Sequence, residues 1–325
     1  MADFDAIGVG SPLMDMLAHV EDAFLHGVDG AKGGMELVDH DGMTTLVGRL
    51  GDHQRAPGGS AANTIFGMSR LGSRCTFLGK VGSGDTGDLY KSKASAHGVD
   101  TSRFKHCAES ATGRCLSMIT PDSERTCRTF LGAAMNLSPA EISVADFANC
   151  RHAHIEGYVL FNRDLAARIL ECAKQAGCSI SLDLASFEVV AANRDIIDGI
   201  LANYVDIVFA NEDEAEAYAG SADPLEGLAA LAVHCELAAV KVGAEGAYLR
   251  HKGETVRVNA TPVKAIDTTG AGDLWAAGFL HGHLQGWQLA NSGALGARLG
   301  ASVVQQTGAV IPDDEWRLIG AEFGS

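Results

Sequence analysis

The 325-residue chain predicts an α/β fold: a three-layer sandwich with a mostly parallel central sheet and a small β-sheet lid. Three observations lead there. Short apolar runs alternate with helical periodicity through the middle and end of the chain. Two polar, turn-rich segments interrupt that alternation. A glycine-rich turn, DTTGAGD, stands directly before an apolar helix.

The alternation is clearest after residue 160. RDLAARILECAKQAG (163–177) reads as an amphipathic helix ending at Gly177, and CSISLDL (178–184) as a buried strand. VDIVFA (205–210), NEDEAEAYAG and LAAVKVG (237–243) repeat strand, helix, strand. Such units build a parallel sheet covered on both faces, with ligand sites beyond the carboxyl ends of the strands. Two segments, 11–57 and 105–131, break the pattern with pieces such as GGMELVDHDGMTTLVGRL and TGRCLSMITPDSERTCRTF. These read as short antiparallel strands joined by turns, together forming a lid that excludes water from a reactive site. Residues 1–10, 58–104 and 132–325 are left as the core.

Composition narrows the function. The chain is 46% hydrophobic and 20% charged, as ordinary globular proteins are, and no apolar run is long enough to cross a bilayer. MADFDAIGVG lacks the basic region and cleavage site of a secretory signal, so a cytoplasmic location is expected. Eight cysteines are scattered without a C-x-x-C pair, which predicts reduced thiols rather than a zinc or redox site. A net charge of −16 argues against a nucleic-acid partner. It leaves room for a small phosphorylated ligand held by backbone N–H groups at a helix end.

DTTGAGD is the place for such a ligand. Val263–Ile266 reads as a strand end and Leu274–Leu284 as a helix, which puts Gly270, Ala271 and Gly272 in the first turn. Backbone N–H groups there lack partners, small side chains admit a ligand, and the dipole favours an anion. Asp273 beside an anion site would repel a phosphate, yet it suits a group that takes a proton from an attacking hydroxyl. Taken alone, Asp273 could equally be a helix-favouring charge and the glycines a turn.

Other pieces point the same way, each with a plainer reading beside it. Asn211 and Glu214, three apart at a helix start, suit a hydrated magnesium on nucleotide phosphates, or form a capping pair. Gly243 and Gly246 in VKVGAEG pass close to a nucleotide or make a turn; Lys241 counters phosphate charge or sits solvated at a strand edge. Gly58 and Gly59 precede a helix carrying Asn63, where bare backbone and an amide meet a hydroxylated ligand. Asp15, in GVGSPLMDML after the first strand, accepts from two sugar hydroxyls or belongs to a turn after Pro12.

Taken together, PGGSAANTIFGMSRLG with FLGKVGSGDTGD near the amino end and DTTGAGDLWAAGF near the carboxyl end resemble the two signatures of the ribokinase-like (PfkB) carbohydrate and nucleoside kinases. The resemblance covers essentially the whole chain. It implies a ribokinase-like sandwich with a β lid, in-line transfer of the γ-phosphoryl group of ATP, and Mg2+. It implies Asp273 as base, Gly270, Ala271 and Gly272 in the anion hole, and Asn211 with Glu214 organising magnesium. Asp15, Gly58, Gly59, Ser60 and Asn63 fall on the substrate; Asn211, Lys241, Gly243, Gly246 and Gly272 on ATP; and a monovalent cation (K+) near Asp267.

GSPLMDML, GGSAAN and FLGAAMNLS are most similar to the adenosine kinases of that family, although Ser11 and Thr269 stand where those usually have asparagine. The implied reaction is adenosine to AMP. Met35, Leu37, Met135, Tyr158 and Phe161 are candidates for the base slot or plain core. The alternatives are a kinase for free ribose or fructose, and a catalytically silent nucleoside or sugar binder. Either a monomer or a homodimer is compatible with exposed lid strands.

Rival motifs fare less well. GSGDTG (82–87) fits G-x-G-x-x-G, but Asp85 would face the pyrophosphate and no acidic strand end follows. No G-x-x-x-x-G-K-[ST] occurs. His152/His154 and His281/His283 lack a third ligand at metal spacing and read as solvated or capping histidines.

Overall fold

A computed structural model describes residues 3–122 and 124–324. Nine strands form the large sheet, in the spatial order Glu254–Val258, Ala247–His251, Leu237–Lys241, Ile207–Asn211, Ser179–Asp183, Cys150–Glu156, Phe4–Val9, Cys75–Leu78 and Val99–Asp100. Every neighbouring pair is parallel except the two that involve Ala247–His251. The parallel strands are buried on both faces, as their unbroken apolar runs require. Ile207 and Phe209 enter one apolar cluster with the helices Ser60–Arg70 and Ala271–Leu284, whereas Val208 and Ala210 enter another with Arg163–Gln175 and Phe187–Tyr204. The period-two alternation of a strand thus divides its side chains between the layers of a three-layer sandwich.

The smaller sheet has five strands, ordered Met35–Leu37, Arg125–Gly132, Thr112–Ile119, Leu13–His19 and Gln54–Gly58. Its pairing is mixed, with Met35–Leu37 parallel to Arg125–Gly132 and Leu13–His19 parallel to Thr112–Ile119. The run around residues 34–51 is not all strand, as its turn residues suggested. After Met35–Leu37 it folds into the helix His40–Gly48, capped by Asp39, whose carboxylate accepts the Gly42 N–H at 2.7 Å. Met43 and Leu46, three apart and so on one helical face, pack on Met16, Leu116 and Met118 of the sheet. The side chains of Met16, Ala18, Leu116 and Met118, at even positions of two neighbouring strands, are covered in this way. Asp15 and Cys115, on neighbouring strands, face the other side.

Two further expectations change. Val263–Ile266 has no strand: Val263 and Ile266 are exposed, Pro262 offers no N–H, and the Ile266 N–H turns to the Val304 carbonyl at 2.7 Å. The G-x-G-x-x-G run follows Lys80–Gly82, which pairs only with Lys105–Cys107 and lies outside the large sheet, so no dinucleotide-type βαβ unit forms around it. Among the described residues no helix is long and apolar enough to cross a membrane.

Candidate active site

The helix Ala271–Leu284 is apolar on every side and buried for most of its length, so its position is dictated by the core. Gly270 starts it in the left-handed region (φ +73°), where a Cβ would also lie 2.5 Å from that of Ala309, and only glycine meets both conditions. The turn is tighter than the sequence suggests. The Ala271 N–H donates to the Thr268 carbonyl at 3.1 Å, so Ala271 offers its amide to the chain rather than to a ligand. The N–H groups of Gly272 and Asp273 have no acceptor among the described residues and face a cavity of about 890 Å³.

Asp273 is held from a second helix. The Ser60 hydroxyl donates to Oδ1 at 3.0 Å, and the Asn63 amide donates to Oδ2 at 2.9 Å. Thr64 donates to the Asp273 carbonyl at 3.0 Å. Ser60 and Asn63, expected on substrate hydroxyls, therefore place their polar atoms on the carboxylate itself. Burial, with the nearby Asp183 charge, pushes Asp273 up to about 6, against the opposing pull of Asn63, Ser60 and Lys241. A fixed, partly desolvated carboxylate of that basicity can take a proton from an alcohol near neutral pH.

Lys241 is not a solvated edge residue. Its Nζ donates to Asp183 Oδ2 at 2.9 Å in a pair almost removed from water. Burial alone would raise the Asp183 carboxyl, but Lys241 beside it holds it below its ordinary range. A Cβ on Gly272 would lie 2.9 Å from that Nζ, which places the ammonium over the open first turn of the helix. Asn211 and Glu214 form a full capping box. Asn211 Oδ1 accepts the Glu214 N–H at 2.8 Å, and Glu214 Oε2 accepts the Asn211 N–H at 2.8 Å. Glu214 also lines the cavity, where burial and the Asp183 charge push it up to about 7. Gly243 and Gly246 line the same wall. Gly246 is compelled by its turn, with φ +105° and a would-be Cβ 2.0 Å from the Val258 carbonyl, while beside Gly243 the nearest atom lies 3.9 Å away.

Among the described residues, no cluster of three or more His, Cys, Asp or Glu is arranged to grip a metal. The donors that share the cavity fit a hydrated hard cation nonetheless. Asp183, Glu214 and Asp273 all offer carboxylate oxygens to it, and burial, to which the Asp183 charge adds, raises the other two. Magnesium keeps several of its waters and needs few protein ligands.

Asp15 stands mid-strand in the small sheet, not in a turn after Pro12. It does not line the Asp273 cavity. Its carboxylate lies against Gly58, where a Cβ would fall 2.1 Å from Oδ2, and burial pushes it up to about 7. Gly59, at φ +105°, has no room for a Cβ beside the Ser11 carbonyl. Met35, Leu37, Met135, Tyr158 and Phe161, read as slot or core, are all exposed, Met135 at 65%. None is core. His152, His154 and His281 are buried rather than solvated: His152 and His154 share the Ser181 hydroxyl at 2.8 Å, and His281 meets Ser73 at 2.8 Å. In His283, burial likewise pulls the ring below its ordinary value.

Three residues missing from the sequence reading complete the site. Asp183 and Glu156 end parallel strands at their carboxyl edge, the position where such sheets place ligands, and that was the available signal. Glu156 is buried, pushed up to about 7 by burial, and accepts the Ser11 N–H at 2.8 Å and the Ala61 N–H at 3.3 Å. Arg125 reaches from the small sheet to Asp267, with Nη1 2.9 Å from Oδ1. Asp267, near which the resemblance implies a monovalent cation, also accepts from Thr269 and Gly308.

The chain is similar to known proteins over most of its length. The family model "pfkB family carbohydrate kinase" matches residues 35–316. Ribokinase of Haemophilus influenzae is 30% identical over 247 residues, 73% of this chain and 76% of that protein. Adenosine kinase of Dictyostelium discoideum is 26% identical over 98% of this chain and 99% of its own length. The crystal structure of adenosine kinase from Sinorhizobium meliloti superposes with a TM-score of 0.87 at 32% identity, covering 99% of both chains. With most of its length matched, the chain belongs to the pfkB family of carbohydrate kinases, ATP-dependent phosphotransferases acting on an alcohol group.

Proposed function

We propose that this kinase phosphorylates the primary hydroxyl of a ribonucleoside, adenosine first, giving AMP. The observation that carries the choice is the face of the small sheet turned away from the helix His40–Gly48. One row of paired positions runs Asp15, Cys115, Thr129, Leu37 across four strands. It passes from a carboxylate suited to vicinal hydroxyls to exposed apolar side chains, Leu37 at 62% and its neighbour Met35 at 61%. Three strand spacings span about 14 Å. A nucleoside laid along that row puts its ribose at Asp15 and its base on the apolar end, whereas a free sugar leaves the apolar end without a purpose.

The chemistry follows from the Asp273 cavity. Asp273, ionised and steadied by Ser60 and Asn63, accepts the proton of the substrate's primary hydroxyl. The oxygen so activated attacks the γ-phosphorus of ATP in line, the bond from that phosphorus to the bridging oxygen of the β-phosphate breaks, and ADP leaves. The N–H groups of Gly272 and Asp273 and the Lys241 ammonium face the charge that develops on the transferring group. Asn211 and Glu214 would hold a hydrated Mg2+, which when bound supplies positive charge to the nucleotide phosphates. Arg125 ties the small sheet to the loop that carries the anion hole.

The similarity to ribokinase favours a second reading, a free pentose or hexose acceptor. A coupled assay of ADP formation with ATP, Mg2+ and each of adenosine, other nucleosides, ribose and fructose separates the two. Adenosine should give the highest kcat/KM. Turnover with free sugars alone would sink the nucleoside reading.

A further inference from the structure

A second hollow, of about 510 Å³, lies at the root of the small sheet and shares no lining residue with the Asp273 cavity. Leu17 and Arg55 of the sheet form one side. Phe66, Arg70, Lys93 and His97, from the core helices and just beyond, form the opposite one, and Trp316 with the 306–312 segment closes it.

Its charge runs against that of the molecule. The chain carries −16, yet Arg55, Arg70 and Lys93 line this hollow and no Asp or Glu does so among the described residues. Arg70 has a partner in the exposed Asp313 at 2.5 Å and lies over the Trp316 ring. Among the described residues Arg55 and Lys93 have no carboxylate partner, and Arg55 donates to His53 at 3.2 Å. His97 is stacked on Phe66 with ring centroids 5.1 Å apart, and burial together with the charges of Arg70 and Lys93 pulls it below its ordinary value. Like charges therefore face one another across a concave space, an arrangement that a bound anion relieves. The floor, with Leu17, Phe66, Leu274 and Ile311, is apolar, so the complementary ligand has an apolar body and an anionic end.

We propose that this hollow is a second ligand site for a small organic phosphate, its apolar or aromatic body against Phe66 and Leu274 and its phosphate between Arg55, Arg70 and Lys93. The site stands whether the kinase substrate is a nucleoside or a free sugar. It excludes metal ions by charge, and neutral sugars by the apolar floor.

The test is calorimetric titration of the full chain with phenyl phosphate, in the presence of saturating ADP so that the Asp273 cavity is filled. One phenyl phosphate per chain is expected, with phenol and inorganic phosphate at least tenfold weaker. The double variant Arg55→Gln/Lys93→Gln should weaken phenyl phosphate at least tenfold while its thermal unfolding matches the parent. If that variant unfolds, Lys93→Glu alone serves. No binding of phenyl phosphate, or an unchanged Kd in the variants, overturns the site. Inorganic phosphate binding as tightly as phenyl phosphate overturns the organic ligand.

Discussion

Two helices begin beside Asp273, and they differ in what meets their free N–H groups. Ser60–Arg70 follows Gly59 at φ +105°, Ala271–Leu284 follows Gly270 at φ +73°, and neither glycine can supply a side-chain cap. At the first, the buried Glu156 accepts the Ala61 N–H, so the positive end of the dipole is answered from within the chain. At the second, no carboxylate or carbonyl answers Gly272 and Asp273 among the described residues, and the turn opens on the cavity under Lys241. The same helix-start physics holds the fold together in one place and is left for a ligand in the other. Exchanging the two roles is what mutation should fail to do.

The largest effect is expected at the open start. Asp273→Asn keeps the shape and the hydrogen bonds, since Ser60 can turn its hydroxyl to accept, but removes the base. Turnover should fall ~10²–10⁴-fold with little change in KM for the alcohol. In the parent, kcat should rise with pH through a midpoint near 6, because the group must be ionised to act and burial sets it there. A variant that keeps a tenth of the parental kcat would remove Asp273 from the role.

Next comes the cation over that start. Lys241→Met alone strands the buried Asp183 charge and would be confounded by unfolding. The double variant Lys241→Met/Asp183→Asn removes the pair together. It should lower kcat ~10²-fold, of the order seen when one donor to a developing charge is lost. Steady-state kinetics against ATP decides whether the loss falls on kcat, as expected, or on KM alone.

Why the open start could be read from sequence and the closed one could not is a matter of chain distance. DTTGAGD carries its glycines, its base and its helix within a few residues, and the strand–helix alternation around it is equally local. The acceptor of the closed start is remote, Glu156 being 95 positions from Ala61 and 145 from Ser11, and so are the other pairs of the site: Lys241 is 58 from Asp183, and Arg125 is 142 from Asp267. Only the tertiary fold brings them together, with Glu156, Asp183 and Lys241 each at the end of a strand of the large sheet. Asn211 and Glu214 were legible as a pair, but one spacing serves both capping and metal binding, and the structure shows the capping directly. The helix His40–Gly48 was hidden because a polar, glycine-containing sequence shows only Met43 and Leu46 on its packed face.

At the closed start the expected loss is one of stability. Glu156→Gln leaves an amide where two N–H groups need an acceptor, Ser11 at 2.8 Å and Ala61 at 3.3 Å. One of them must meet another donor or nothing. The cost should be ~1–3 kcal/mol in urea unfolding, with kcat lowered less than in Asp273→Asn. A variant as stable as the parent but inactive would mean that both starts serve the reaction.

The smallest effect separates the two starts by sign. Asp273 titrates near 6 in the folded chain against an ordinary 3.8, so folding favours its protonated form. The stability it lends is complete below about pH 4, where folded and unfolded chains both carry the proton, and is lost as pH rises through 6. Asp273→Asn keeps a neutral group at every pH. It should therefore melt ~2–5 °C above the parent at pH 8 and converge with it near pH 4. Glu156→Gln also removes a carboxylate that burial holds near 7, but its broken hydrogen bonds should keep it below the parent throughout. Melting curves of the three proteins between pH 4 and 8 give the answer directly. If Asp273→Asn stays a constant interval from the parent across that range, the Asp273 carboxylate is no more strained by its surroundings than one in water, and the open helix start loses its claim to a poised base.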